Sequence, residues 1–420
     1  MKFKSQKGSI TIFVLIALLF FTTALLLMYV SNMNGIRTVE EKSKILKEIY
    51  EKNTNSIEEV YLRTLAKSDN TVPGIGNIPD IIVTNVTELN ESYIKYGIMG
   101  GITTFSIFNE NFESLEDVID YAIDNSNYGT YELKIRAFGK NGKENNFKKN
   151  IEIIKGMKVT NEQELNTALT SGESLYISVS NDIDCANTKE LNNVAHRLDL
   201  NSHSITYTKQ NESFSFLTIG SNGNLTILDS SNQKQGSIIG KILETDSANN
   251  GTDRENKIYT IENNGTLLLQ SGKIMSDYFQ HLNNARDSIH ARGTAVAVKN
   301  NGTTTVSGAQ IESKVSTNGI SYVGTRDSKA IGVGISNTGT VNLNTGNIAV
   351  TADAYMQRQG AVYGETVAYA YGVYNDNGTV NRLNSFLITV SATAHKKDYI
   401  DENKTTTYKE TQDQSEIKQK

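Results

Sequence analysis

The spacing of apolar and polar positions changes along the chain, and each change predicts a different element. From Gly8 to Gly35 no residue is charged, and Ser9 to Ser31 is one apolar run. A run of that length predicts a single helix able to cross a bilayer, which needs about 20 residues. Beyond it, Ile36, Val39, Leu46, Tyr50, Ile57 and Val60 keep a three-and-four spacing through polar positions such as Ser43 and Asn53. That period predicts an amphipathic helix continuing to about Ala66. The pattern stops in Ser68–Pro79, which holds both prolines of the chain and reads as a hinge.

After the hinge the period becomes two. Asp80–Thr87, Gly101–Phe108, Tyr128–Phe138 and Phe147–Ile154 read as strands, and Asn141-Gly142 is a hairpin signal between the last two. Residues 80–156 therefore form a small β module. Its final hairpin, Tyr128 to Ile154, resembles that of bacterial immunoglobulin-like surface modules. Phe112 to Asn125 is acidic and suits a short helix, with Glu113, Glu116, Asp117, Asp120 and Asp124 on a solvated face rather than around calcium.

From about residue 196 the chain repeats itself. Short apolar strands run into an Asn-Gly or Thr-Gly corner, then an alternating strand, then a second corner. The corner glycines are Gly223, Gly265, Gly302, Gly339 and Gly378, at separations of 42, 37, 37 and 39 residues. Asn and Gly are expected there because sharp corners use left-handed backbone. A unit of this kind cannot bury its inward face alone, so units must stack. The prediction is a mainly β chain ending in a parallel β-helix over 157–394. Surplus polar segments, Ser276–Gly293, Ser313–Lys329 and Thr351–Ala368, are expected either as an added coil or as excursions off one side. Asn161–Leu169 is the candidate N-terminal cap helix. A β-propeller would require four strands per repeat with aromatic signatures, which these repeats lack. Residues 395–420 are polar and mixed in charge, and read as a disordered tail.

Two resemblances sharpen this. Lys7-Gly8-Ser9-Ile10-Thr11-Ile12-Phe13, preceded by Lys2 and Lys4, resembles the leader of type IV pilin-like proteins. It implies cutting between Gly8 and Ser9 by a prepilin peptidase, and pilin-like subunits as partners. The family usually carries Glu at the fifth mature position, where this chain has Phe13. Val159–Leu169, Leu175–Ile183 and Leu198-Asp-Leu-Asn-Ser-His-Ser-Ile205 resemble the opening of right-handed β-helix domains of pectate-lyase-like fold on bacterial surface proteins. The organisation expected is a cytoplasmic leader (1–8), a membrane helix (9–31), a helical stem (32–68), the hinge (69–79), an immunoglobulin-like module (80–156) and a right-handed parallel β-helix (157–394). The lysines before the apolar run place the N-terminus in the cytoplasm and the bulk of the chain outside.

Composition narrows the chemistry. Forty-one basic against 46 acidic residues give a net charge of -5, unlike a nucleic-acid binder. One Cys among 420 residues rules out an intrachain disulfide framework. No cofactor or metal site is expected. Acids do not recur at one register of the repeat, so a non-catalytic role in adhesion or in binding surface or host glycans is the expectation. A pilin-like subunit and a polysaccharide lyase or hydrolase are the alternatives. Residues marked for a ligand face are Arg286, Asp287, Arg292 and Arg326 in the polar segments, with Tyr363, Tyr369 and Tyr371 (beside Tyr374) in the last coils. The lone Cys185 is expected to be a small, semi-buried apolar residue.

Overall fold

A computed structural model describes residues 14–30, 80–84, 103–107, 110–112, 115–125, 128–138, 144–246, 252–284, 289–321, 326–358, 364–398 and 408–420. The chain is mainly β and divides into two compact units, one ending at Glu152 and the other formed chiefly by Ile153–Lys420. Leader, stem and hinge, with Gly8 and Ser9, lie outside the described residues.

In the first unit, helix α1 covers residues 14–30, and its large apolar side chains from Val14 to Val30 stand exposed. Among the described residues, no helix is long and apolar enough to cross a membrane. The β module contains the strand Thr103–Ile107, paired antiparallel with both Glu110–Phe112 and Gly129–Phe138. Helix α2, Leu115–Asp124, buries Val118, Ile119 and Ala122 and leaves Asp117, Asp120 and Asp124 in solvent. The strand beginning at Glu144 returns after Gly129–Phe138, and Lys148 reaches Glu132 across the pair at 2.8 Å.

The second unit is built of parallel ladders, compatible with a β-solenoid. It opens on helix α3, Glu162–Leu169. Asn161 caps α3 by accepting the Glu164 N–H at 3.0 Å, and Glu164 accepts the Thr160 N–H at 2.7 Å in return. Leu165, Ala168 and Leu169 enter the main core. Glu162 ties the helix to the first coil through the Ala186 and Asn187 amides and Lys189 Nζ. Burial pushes this carboxyl up, but those bonds prevail and hold it at about 2.

Most coils contribute three strands, and in the coils beginning at Thr303 and Thr340 the first two run together as one. A short one, such as Thr266–Leu269, precedes a long one, Lys273–Asn284, in one sheet. The third, Ile289–Asn300, belongs to a seven-stranded sheet. Thr266 pairs with Thr303, Thr303 with Thr340 and Thr340 with Thr379, which fixes the register of one coil on the next. Neighbouring coils are therefore about 4.8 Å apart. Columns of inward side chains, such as Ile238, Ile274, Ile311, Ile348 and Ile388, run through the core. Each such side chain withdrawn from water contributes on the order of 1.5–3 kcal/mol.

A second ladder runs beside this core. Asn263, Asn300, Asn337 and Asn375 are buried at the corner before each central glycine. Each Nδ2 donates to the next Oδ1, at 2.9, 2.7 and 2.7 Å, and Asn375 donates to Gln419 Oε1 at 2.7 Å. Nδ2 of Asn263, Asn300 and Asn337 also bonds the carbonyls of Thr303, Thr340 and Thr379 at 2.9, 3.0 and 3.2 Å.

Three expectations are corrected. The glycines at 223, 265, 302, 339 and 378 do not carry left-handed backbone. That conformation falls at Gly272, Gly308 and Gly346 in the second corner, with φ of +84°, +144° and +120°, and at Asn377 with φ +62°. The central glycines are needed for space: a Cβ on Gly265, Gly302 or Gly339 would strike the carbonyl of the glycine one coil earlier. Where described, the polar segments are strand rather than an added coil or excursions: residues 276–284 and 289–293, 313–321 and 326–329, and 351–358 and 364–368 continue the long strands. Described parts of the tail are strand: residues 395–398 end Leu387–Asp398, which pairs with Thr340–Arg358, and Tyr408–Gln419 pairs with Gly364–Asn375.

Candidate functional site

Of the marked tyrosines, Tyr369 and Tyr371 meet, with Tyr374, on the outward face of the seven-stranded sheet. Along the strand Thr252–Asn263, Ile258 points into the core and Tyr259 away from it. Thr260 and Ile261 are then both fully buried, so the alternation slips by one residue and Glu262 faces out again. The same arrangement recurs in every coil and produces three outward columns. The first is Lys257, Thr294, Ile331, Tyr369 and Asp413. The second is Tyr259, Val296, Val333 and Tyr371. The third is Glu262, Lys299, Ser336, Tyr374 and Lys418.

These columns form an apolar cluster separate from the main core. Val296, Val333 and Tyr371 are nearly buried although they face outward, because Tyr259, Ile331, Tyr369 and Tyr374 pack over them. Tyr369 and Tyr371 stack at 6.1 Å, and Tyr371 meets Tyr374 at 5.6 Å. Lys299 Nζ lies 5.0 Å from the Tyr259 ring centre and Lys418 Nζ 5.7 Å from that of Tyr371. Tyr371 donates to Asp413 at 3.0 Å. Burial and then that carboxylate push its phenol well above the usual tyrosine range. Its role is therefore to pack and donate, and never to ionise in ordinary conditions.

A charged cluster lies on the same face, nearer the strand starts. His290 Nδ1 is 2.9 Å and an Arg292 guanidinium nitrogen 3.0 Å from the same Asp327 oxygen, and the Glu365 N–H donates to the other at 3.1 Å. Burial would raise the Asp327 carboxyl. The Glu365 amide, Arg292 and His290 outweigh it and hold the group below the ordinary aspartate value.

Other acids on the outer faces are tied in the same way. Glu262 takes Lys299 at 2.7 Å, and Glu312 takes Lys273 at 2.7 Å. Both carboxyls lie below the usual glutamate range: desolvation opposes this, and the lysine bonds overcome it. A glycosidase acid needs the opposite, a carboxyl kept protonated near neutral pH. What this face can do chemically is stack on the apolar side of a ring and exchange hydrogen bonds around it.

Of the residues marked from sequence, Arg292, Tyr369 and Tyr371 are brought onto this face. Arg286, Asp287 and Tyr363 lie outside the described residues, as does the side chain of Arg326. The echo Arg286-Asp-Ser and Arg326-Asp-Ser is not a structural repeat: Arg326 pairs with Ile289, three residues further on. Sequence reasoning missed Tyr259, Val296 and Val333 as members of the face. The 37-residue register, applied to single positions, would have found them.

Away from this face, Asp182 accepts the Ser204 N–H at 2.8 Å, as a strand-end turn residue does. Cys185 is buried, and burial pushes its thiol up to about 11, which keeps it protonated and inert.

Compared with known proteins, the chain matches no family model, no curated protein and no solved structure.

Proposed function

We propose that the chain is a membrane-anchored bacterial cell-surface protein. Its second unit is a right-handed parallel β-helix that carries a non-catalytic face for adhesion or glycan binding. The observation that carries this reading is the aromatic strip of Tyr259, Tyr369, Tyr371 and Tyr374 on the outer face of a rigid parallel sheet. Tyrosine offers sugars a flat apolar surface with a polar edge, at small entropic cost. Lys299, Thr294 and Ser336 supply hydrogen bonds beside it, and acids held in their ionised form suit a binding surface better than hydrolysis. The anchor is the apolar run around α1, with its exposed leucines and phenylalanines. The small β module serves as an immunoglobulin-like spacer.

The test uses the full chain with Tyr369 and Tyr374 both changed to Ala, two half-buried rings outside the main core. Retention on immobilised cell-wall and host polysaccharides is expected to fall at least about tenfold, the effect of losing one to two kcal/mol of aromatic contact. The melting temperature should stay close to that of the parent chain. Parent protein that no polysaccharide retains, or a variant that binds unchanged, would refute the glycan reading.

A pilin-like subunit is the second reading, favoured by the Lys7-Gly8-Ser9 step before the apolar run. It expects a mature chain beginning at Ser9 when protein from the native envelope is weighed by mass spectrometry. A retained Met1 or Lys2 removes it and leaves the simple anchor.

A further inference from the structure

Among the described residues, glycine follows asparagine at Asn222, Asn264, Asn301, Asn318 and Asn377. Asn34, Asn141 and Asn250 also precede glycine and lie outside the described residues. Such a step is open to an intramolecular reaction, because glycine has no Cβ to shield its nitrogen. That nitrogen attacks the asparagine Cγ, so the backbone must first turn it toward the side chain. Hydrogen bonds that hold the glycine N–H or the asparagine amide in place oppose the turn. The reaction then waits for local opening.

Four of these steps are held. The Gly223 N–H donates to the Gly220 carbonyl at 2.9 Å, that of Gly265 to Asn263 Oδ1 at 3.1 Å, and that of Gly302 to the Asn263 carbonyl at 3.1 Å. Asn301 Nδ2 also donates to Asn264 Oδ1 at 2.8 Å. Asn318 and Gly319 lie inside Thr303–Ser321, a strand paired on both sides.

The last corner is one residue longer. Asn300 and Asn337 are each followed by one residue and then glycine, whereas Asn375 is followed by Asp376 and Asn377 before Gly378. The flanking amides keep the ladder: Asp376 donates to the Asn337 carbonyl and Thr379 to that of Gly339, both at 2.8 Å. The extra residue is taken up between them. Asn377 is exposed, with φ of +62°. Among the described residues, the Gly378 N–H has no hydrogen-bond acceptor. The Asn377 amide donates to its neighbour, Asp376 Oδ1, at 3.0 Å and not to another coil. Asn264, Asn301 and Asn377 share the sequence Asn-Gly-Thr, so it is the fold that separates them.

We propose that Asn377 is a site of spontaneous deamidation at the last coil. The Gly378 nitrogen loses its proton and bonds to Cγ of Asn377. The Cγ–Nδ2 bond breaks, and ammonia leaves with that proton. Water then opens the five-membered imide at either carbonyl, which gives aspartate or isoaspartate. Both products set a second carboxylate beside Asp376, the partner of Lys420 at 2.8 Å. Isoaspartate also lengthens the backbone between Asn375 and Gly378, whose carbonyl Asn375 Nδ2 holds at 2.8 Å. This inference is independent of the glycan reading.

The folded full chain, kept in warm, mildly alkaline buffer and sampled over time, tests it. Peptides are weighed by mass spectrometry, and isoaspartate is counted by enzymatic methylation. Conversion at Asn377 is expected to run at least about tenfold faster than at Asn222, Asn264, Asn301 or Asn318, the effect of the one or two hydrogen bonds those steps must first break. In guanidinium chloride the corners are gone, and the rates at Asn264, Asn301 and Asn377 should converge. A folded chain in which Asn377 keeps its amide as long as Asn301 does would overturn the proposal. So would a lead of Asn377 over Asn264 and Asn301 that persists in the unfolded chain.

Discussion

Asn300→Leu is expected to destabilise the second unit by about 2–4 kcal/mol, read as a shift in the urea midpoint of the full chain. The side chain is fully buried and serves three coils at once. Its removal takes the acceptor from Asn263 Nδ2 and from Thr304 Oγ1, and the donor from Asn337 Oδ1 and the Thr340 carbonyl. Leucine of similar volume satisfies none of them, and a buried polar atom left alone loses its full desolvation cost. Asn301→Ala is the contrast. Asn301 is one residue away, exposed, and bonds Asn264 at 2.8 Å in an outer ladder. Its loss should stay within about 0.5 kcal/mol. Equal effects from the two substitutions would show that the buried ladder holds nothing together. A double change of Asn300 and Asn337 should cost less than the two singles added, because the residues share a bond.

Gly302→Ala is expected to be as damaging or worse, at about 3 kcal/mol, with a protein that is poorly folded when expressed. The reason is spacing. The added Cβ would meet the Gly265 carbonyl and would come within 2.8 and 2.9 Å of the Asn264 carbonyl carbon and oxygen. All of these are backbone atoms of the coil below, so no side chain can swing aside. The stack would have to open at the step from Gly265 to Gly302. Gly172→Ala is the control, since a Cβ there meets nothing within 4 Å. It should be neutral within about 0.5 kcal/mol in the same urea series, and a Gly302→Ala protein of parent stability would refute the close-packed glycine column.

Those two positions also show what could be read from the sequence. The recurrence of Asn-Gly and Thr-Gly, with 37 residues between Gly265, Gly302 and Gly339, was enough to predict stacked parallel coils. The purpose of the glycine was not legible, because crowding between coils and left-handed backbone both select the same residue. The inward face of the long strands' polar stretches was misread for a related reason. Ser276, Ser313, Thr317 and Ser328 look solvent-facing in a pattern of apolar and polar positions. They are fully buried, and they bond across the sheets, as Thr317 does to Ser328 at 2.9 Å. Conversely, Val296 and Val333 look like core but face outward, where tyrosines from other coils cover them. Tyr369, Tyr371 and Tyr374 are legible as a group because they are close in sequence. Tyr259 belongs with them only through three steps of register.

The asparagine ladder has a direction. Each Nδ2 points to the coil made after its own, so a coil already in place offers an unspent donor to the one that follows. As the chain is made from the N-terminus, helix α3 and the first coils can close before the later ones exist. Every new Asn-x-Gly corner then arrives at a donor waiting at the growing edge. A ladder with this direction is expected to assemble from the capped end, each coil serving as the template for the next.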